Sequence, residues 1–159
     1  MKGRQPVTIL MADDDEDDCL LAKDALAESR LSNDIYFVND GEELMDYLYQ
    51  RGNFVDKKKS PRPGLILLDL NMPKKDGREA LTEIKNHPHL RQIPVVILTT
   101  SQAEHDIFRS YDLGANSFIT KPVTFTGLVN VMKSLGQYWF EIVQLPEAGI
   151  EDGNGQRSS

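Results

Sequence analysis

Short hydrophobic runs alternate with stretches of helical spacing along this chain. Five runs have the length expected of strands, and they span residues 7–12, 35–39, 65–70, 94–100 and 117–120. The first, third and fourth are almost continuously hydrophobic. That pattern is typical of central strands in a parallel sheet that helices cover on both faces.

The stretches between these strands favour amphipathic helices. Four of them span residues 18–29, 42–50, 77–86 and 103–113, and a fifth helix is expected to begin near Thr126. Strictly alternating strands and helices predict an α/β fold, a doubly wound parallel sheet with right-handed crossovers. We expect one domain over residues 1–146, a basic solvated loop at 51–64, and a disordered tail at 147–159.

Composition and charge narrow the classes of function. The net charge of −7 argues against non-specific binding to nucleic acid or to an anionic membrane. A single cysteine, Cys19, cannot form an internal disulfide, which fits a reducing compartment. No hydrophobic run is long enough to span a bilayer, and the start MKGRQPV lacks the apolar region of a signal peptide. The expected location is the cytoplasm.

Polar residues that suit chemistry gather at the carboxyl ends of the predicted strands, where open α/β sheets bind ligands. They are Asp13 and Asp14 after the first strand, Asp69 at the end of the third, Thr99 and Thr100 at the end of the fourth, and Lys121 after the fifth. We therefore expect carboxylates, a hydroxyl and a lysine to meet at one edge of the sheet.

Six consecutive acids, residues 13–18, divide into two groups. Asp15 to Asp18 suit the start of a helix, where unpaired N–H groups and the helix dipole favour negative charge. Asp13 and Asp14 face a third carboxylate, Asp69, and a divalent cation would offset their repulsion. Mg²⁺ typically binds through one or two carboxylates, waters and phosphate oxygens.

Other chemistries find little support. The chain contains neither a G-x-x-x-x-G-K-[ST] nor a G-x-G-x-x-G fingerprint, and no G-x-S-x-G elbow. His87, His89 and His105 fall away from the strand ends. Phosphoryl chemistry remains, with Asp69 as nucleophile, Mg²⁺ and Lys121 neutralising the phosphoryl oxygens, and the Thr99 hydroxyl donating a hydrogen bond.

Four segments in a fixed order now resemble a known family. ILMADDDEDD, LILLDLNMPKKDG, VVILTTS and FITKP resemble the receiver domain of two-component response regulators. The resemblance runs from Val7 to about Leu135 and implies a flavodoxin-like sheet with strand order 2-1-3-4-5. The segment IKNHPHLRQIPVVILTTSQAE and the long basic loop resemble the stand-alone receivers that serve bacterial phytochromes.

The resemblance also implies roles for individual residues. Asp69 would accept a phosphoryl group from a sensor histidine kinase, which the finer likeness suggests is a bacteriophytochrome. Asp14 would bind Mg²⁺ directly, Asp13 largely through water, and Asn71 through its backbone carbonyl. The remaining roles fall to the phosphate-binding and switch residues, which are Thr99, Thr100, Lys121 and Phe118. Phe118 replaces the commoner tyrosine, and its alternative role is that of a plain core aromatic.

Two other functions compete with this one. A haloacid-dehalogenase-type phosphatase would use Asp13 and Asp15, but Asp17 stands where that family has Thr or Val, and no acid follows Lys121 until Glu141. A receiver-like binding module that works without phosphorylation is disfavoured by the intact set of acids, Thr99 and Lys121.

An aromatic stretch follows the expected end of the last helix near Gly136. Tyr138, Trp139 and Phe140 would either fold back on the core or form an interface. Because the sheet already has helices on both faces, we expect a homodimer centred on these three residues. Output by protein contact follows, since no helix-turn-helix segment comes after Lys121.

Overall fold

The computed structural model describes residues 7–28, 32–99, 114–115 and 117–134. Its strands are β1 (Ile9–Ala12), β2 (Ile35–Val38), β3 (Leu65–Asp69), β4 (Val95–Thr99) and β5 (Ser117–Thr120). Its helices are α1 (Glu16–Glu28), α2 (Gly41–Leu48), α3 (Gly77–Lys85) and α4 (Phe125–Ser134). All neighbouring strands pair in parallel in the order β2-β1-β3-β4-β5, which confirms the predicted doubly wound fold.

The hydrophobic core lies on both faces of the sheet. Along β1, Leu10 and Ala12 belong to the cluster beneath α2 and α3, whereas Ile9 and Met11 belong to the cluster beneath α1 and α4. All four side chains are fully buried. Successive residues of a strand point to opposite faces, so a strand covered on both sides must be hydrophobic at every position.

Side-chain caps fix where α2 and α3 begin. The Asp40 carboxylate accepts the N–H of Glu43 at 2.8 Å. Asp76 accepts the N–H of Arg78 at 2.6 Å, and Glu79 reaches back to the Asp76 N–H at 3.2 Å. These bonds satisfy helix N–H groups that have no partner within the helix. α2 starts three residues after the end of β2 and α3 eight residues after the end of β3, so both helices begin on the side of the carboxyl edge of the sheet.

The basic loop 51–64 is more structured than its composition predicts. It contains a 3₁₀ turn, Gly52–Phe54, and Phe54 packs against the core cluster beneath α2 and α3. The Tyr47 hydroxyl donates to the Pro61 carbonyl at 2.8 Å, and Ser60 is buried. Its three successive lysines, residues 57–59, are exposed as expected.

Several expectations fall on residues that the structure does not describe. These are the helix predicted at 103–113, the tail at 147–159, Thr100, and the aromatic residues Tyr138, Trp139 and Phe140. Within the described ranges, none of the helices is both long and hydrophobic enough to cross a membrane.

Candidate phosphoryl and metal site

The strand register brings the predicted site residues to one level of the sheet. Ala12 pairs with Leu68, so Asp13 follows at the level of Asp69 on the neighbouring strand. Thr99 pairs with Thr120, which places Lys121 directly beyond the same edge. Parallel pairing alone therefore aligns the ends of β1, β3, β4 and β5.

Lys121 lies at the centre of the acidic residues. Its Nζ lies 2.7 Å from Asp18 Oδ2, 2.9 Å from Asp13 Oδ2 and 3.0 Å from Asp69 Oδ2. Burial alone would lower the pKa of this ammonium, but the close contacts with the carboxylates of Asp18, Asp13 and Asp69 outweigh it, and the pKa is raised. Lys121 is therefore a permanent cation at any physiological pH.

Asp13 is the most buried of these acids, with no exposed surface. Its Oδ1 accepts the N–H of Asp15 at 2.9 Å. Its Oδ2, although close to Lys121, has no hydrogen bond of good geometry to any residue that the structure describes. Burial raises the pKa of the Asp13 carboxyl to about 6, and the Asp15 N–H and Lys121 only partly offset this. An ionised carboxylate buried in this way is costly unless a further cation binds it.

Three carboxylates form a pocket of oxygen ligands that fits such a cation. Asp13, Asp14 and Asp69 each present an oxygen, and these oxygens lie within 4.8 Å of one another. Asp13 and Asp69 are buried, whereas Asp14 is exposed and leaves the site open to solvent. Oxygen ligands with an open side suit Mg²⁺, which keeps several of its waters. The donor set therefore fits the predicted metal.

Both oxygens of Asp69 have partners within the chain. Oδ1 accepts the backbone N–H of Asn71 at 3.0 Å, and Oδ2 accepts from Lys121 at 3.0 Å. The residue is 5% exposed, so little of its surface is open to solvent. The role predicted for the Asn71 carbonyl, as a metal ligand, stays a prediction.

Gly77 lies where the start of α3 comes very close to the end of β3. Its N–H donates to the Leu70 carbonyl at 3.0 Å, which draws the start of α3 against the end of β3. A Cβ at this position would overlap the Asp69 carbonyl and come within 2.7 Å of the Leu70 Cα. Only glycine allows the two backbones to approach this closely.

The switch residues are only partly described. Thr99 ends β4 at the predicted edge. Phe118 is half-buried and packs against the core cluster beneath α2 and α3. This position fits either a switch or a core aromatic. Both roles proposed for Phe118 therefore remain predictions.

The acid run divides much as predicted, with one correction. The helix starts at Glu16, so Glu16, Asp17 and Asp18 occupy its first turn, and Asp15 accepts the N–H of Asp17 at 2.9 Å. Asp18, however, is more than a helix-start acid, because it is buried and paired with Lys121. The sequence held a signal for this, since the buried Ala22, Ala25 and Leu26 lie four, seven and eight residues further on, along the same face.

The histidines of the NHPHL segment lie away from these acids. His87 Nδ1 accepts the N–H groups of His89 and Leu90 at 3.0 and 3.2 Å, so the imidazole stabilises a local turn. His105 lies outside the described residues. For His87 this contact supports a structural role.

Comparison of the sequence with models of protein families gives a match that covers most of the chain. The model of the response regulator receiver domain matches residues 9–133. Response regulator Rcp1 of Synechocystis sp. is 43% identical over 147 residues, which cover 92% of this chain and 98% of Rcp1.

Solved structures of the same kind superpose on this chain. The bacteriophytochrome response regulator RtBRR gives a TM-score of 0.78 at 38% identity, covering 95% of this chain and 89% of its own. The phosphorylated cyanobacterial phytochrome response regulator RcpA gives 0.71 at 44% identity, covering 89% and 99%. The Mn²⁺-bound form of Rcp1 gives 0.70 at 42% identity, covering 89% and 100%. Phosphorylation and divalent metal binding are thus both documented among similar proteins.

Proposed function

Because this chain belongs to the response regulator receiver domain family, we propose that Asp69 is the side chain that accepts the phosphoryl group. The protein is a receiver-type response regulator, a signalling protein whose phosphoryl acceptor works together with a divalent metal. One observation carries the assignment to Asp69. This carboxylate alone belongs to the three-carboxylate group and also touches both Lys121 and the Asn71 N–H.

The chemistry follows from these contacts. A carboxylate oxygen of Asp69 attacks phosphorus, and a P–O bond forms while the bond from phosphorus to the leaving group breaks. The electron pair of the broken bond departs with the leaving group, a histidine nitrogen of a kinase or the acetate of acetyl phosphate. Lys121 holds a positive charge beside the reacting oxygens, where it offsets their negative charge.

The metal assignment names residues of this chain as ligands. Asp13, Asp14, Asp69 and the Asn71 carbonyl would hold Mg²⁺, which supplies charge neutralisation for the phosphoryl oxygens. Three carboxylates, those of Asp13, Asp18 and Asp69, contact the Lys121 ammonium, and Asp14 adds a fourth negative charge beside Asp13 and Asp69, so the site carries surplus negative charge for a divalent cation. Mg²⁺ is the proposed physiological ion, and Mn²⁺ fits the same oxygen donors.

Signal output is proposed to pass through β4 and β5. The Thr99 hydroxyl would turn toward the phosphoryl group, with Thr100 nearby, and Phe118 would change rotamer on the neighbouring strand. Ile97 pairs with Phe118 in the sheet, so the two strands that would carry the signal are direct neighbours. The output is proposed to be protein contact, without nucleic acid or membrane binding.

The proposed partner is a cytoplasmic sensor histidine kinase, in particular a bacteriophytochrome. Receivers of two-component systems act with histidine kinases. The names of RtBRR and RcpA, which are similar to this chain over most of their length, point to phytochromes. The proposed unit is residues 1–146, and it pairs as a homodimer through Tyr138, Trp139 and Phe140.

Phosphorylation by a small donor tests the Asp69 assignment directly. Incubation with acetyl phosphate and Mg²⁺ is expected to add one base-labile phosphoryl group, detected by intact-protein mass spectrometry. Asp69→Asn should abolish the addition, whereas Asp17→Asn, at an exposed position in α1, should leave it unchanged. Equal labelling of Asp69→Asn and the wild type would refute the proposal. Sustained turnover of a phosphate ester by Asp69→Asn would instead favour a phosphohydrolase.

A further inference from the structure

Lys121 has one partner that the metal site does not share. Its three carboxylate contacts are Asp13, Asp18 and Asp69, and the contact with Asp18 is the shortest at 2.7 Å. The two side chains of that pair are only 10% and 12% exposed. Its other two partners, Asp13 and Asp69, belong to the three-carboxylate group, whereas Asp18 lies outside that group.

The contacts of Lys121 must change when the site is occupied. A bound cation would draw on the oxygens of Asp13 and Asp69, directly or through water, and would compete with the ammonium for them. A phosphoryl group on Asp69 also converts its carboxylate to an ester-like acyl group, which accepts hydrogen bonds less strongly than an anion. Asp18 lies outside the three-carboxylate group, so neither the cation nor the phosphoryl group would use its oxygens.

The two residues connect separate parts of the chain. Asp18 lies in the first turn of α1, and Lys121 lies in the loop between β5 and α4. A lysine side chain has four rotatable methylenes and loses much entropy when it is held in one place. A buried, charge-assisted hydrogen bond is strong enough to hold it there.

We propose that Asp18 is a positioning residue, which holds the Lys121 ammonium beside the phosphoryl oxygens while the cation occupies Asp13 and Asp69. The inference rests on the proposed function of Asp69 and adds an acid to the residues on which phosphorylation depends. One N–H of the ammonium stays with Asp18, which leaves two for the phosphoryl group and its carbonyl oxygen. Asp18 itself touches no reacting atom.

A double-mutant cycle on the phosphorylation rate tests the coupling. At saturating Mg²⁺ and acetyl phosphate, Asp18→Ala should slow phosphorylation by about tenfold, because loss of a hydrogen bond to a charged group is worth about that factor. In a Lys121→Ala background, Asp18→Ala should change the phosphorylation rate by less than about twofold. Asp18→Glu, which keeps a carboxylate, should recover part of the rate.

Asp17→Asn is the matched control, since it removes the same charge from the same helical turn at an exposed position. It should change the rate by less than about twofold, as expected for a screened surface charge. An equal loss in Asp17→Asn and Asp18→Asn would overturn the proposal. The proposal would also be overturned if the rate of the double variant equalled the product of the separate effects of Asp18→Ala and Lys121→Ala, since the two residues would then act independently.

A spectroscopic measurement separates this proposal from the assignment of Asp69. In Mg²⁺-loaded protein without a phosphoryl donor, ¹⁵N NMR of lysine ammonium groups should show a slowly exchanging Lys121 signal. The signal should persist in Asp17→Asn and disappear in Asp18→Ala. Its persistence in Asp18→Ala would overturn the positioning role, even if Asp69 is phosphorylated as proposed. Its loss would support that role, even if another residue proved to be the acceptor.

Discussion

The backbone N–H of Gly77 donates a 3.0 Å hydrogen bond to the carbonyl of Leu70, which holds the start of α3 against the end of β3. Asp69 precedes Leu70, so the position of the proposed acceptor depends on this contact. The chain between them turns back on itself within a few residues, and a side chain at residue 77 would force the backbones apart.

Gly77→Ala is therefore expected to destabilise the fold by about 1–3 kcal/mol, the usual cost of overpacking a closely packed site. Urea unfolding monitored by circular dichroism measures this difference. The matched control is Gly127→Ala in α4, where an added Cβ meets only Thr124 Oγ1 at 3.2 Å and Ile119 Cγ2 at 3.6 Å. That control should stay within about 1 kcal/mol of the wild type, because alanine favours helix, whereas the Thr124 hydroxyl that accepts the N–H of residue 127 has to shift slightly. Equal destabilisation by both changes would contradict the argument.

Asp14→Ala tests the metal site. Removal of this exposed carboxylate should raise the Mg²⁺ dissociation constant by at least about tenfold, the lower limit seen even for groups that only support metal ligands. Isothermal titration calorimetry measures the constant. Asp17→Ala, outside the three-carboxylate group, should leave it nearly unchanged. If both variants bind Mg²⁺ like the wild type, the acid run serves the helix start alone.

The raised pKa of Asp13 predicts how stability depends on pH in metal-free protein. Burial holds this pKa at about 6, above its ordinary value of 3.8, so the folded chain binds the proton more tightly than the unfolded chain. The resulting stability is fully present below about pH 4 and is lost as the pH rises through about 6. In Asp13→Asn the side chain has the shape of the protonated carboxyl and cannot ionise. This variant should therefore not lose stability through residue 13 as the pH rises.

Denaturation in EDTA at several pH values measures this effect. Asp13→Asn should be more stable than the wild type by about 1–3 kcal/mol at pH 8, from a shift of about two pH units at 1.4 kcal/mol each. The advantage should vanish near pH 4. Asp17→Asn should differ from the wild type by less than about 0.5 kcal/mol throughout. A difference for Asp13→Asn that stays constant with pH would show that its burial is not the cause.

Sedimentation velocity tests the proposed homodimer. The full chain should sediment as a dimer, and a chain that ends at Gln137 should sediment as a monomer, because it lacks the aromatic residues at 138–140. Trp139→Glu in the full chain should also favour the monomer, since it places a charge in a hydrophobic interface. Val55→Glu is the control and should remain dimeric, because Val55 lies outside the proposed interface segment and is 64% exposed. A full-length monomer would contradict the proposal, whether or not the protein is phosphorylated.

Hydrophobic patterning predicted most of the architecture. The five strands lie where the hydrophobic runs occur, because a strand buried on both faces leaves an unbroken hydrophobic signal. The convergence of Asp13, Asp69 and Lys121 followed from the rule that parallel strands end at one edge. Helix boundaries differ by one or two residues, and α1 starts earlier than predicted because Asp15 caps it.

Contacts between distant segments were harder to predict. The pairing of Asp18 with Lys121 depends on how α1 packs beside the β5–α4 loop, and spacing within α1 indicates only that Asp18 faces inward. The pKa of Asp13 depends on burial that no local pattern measures. Loop 51–64 has the composition of a solvated segment, yet Tyr47 and the core hold it through Pro61 and Phe54.

That loop leads into the amino-terminal edge of β3, whereas the carboxylates lie at the opposite edge of the sheet. Its exposed lysines, residues 57–59, are therefore separated from the site by the length of the central strands. A fluorophore or a short peptide tag introduced at Lys58 would lie away from the acids, the metal and the phosphoryl group. The fold thus offers a handle for immobilising or labelling the protein while phosphorylation is followed at the other end.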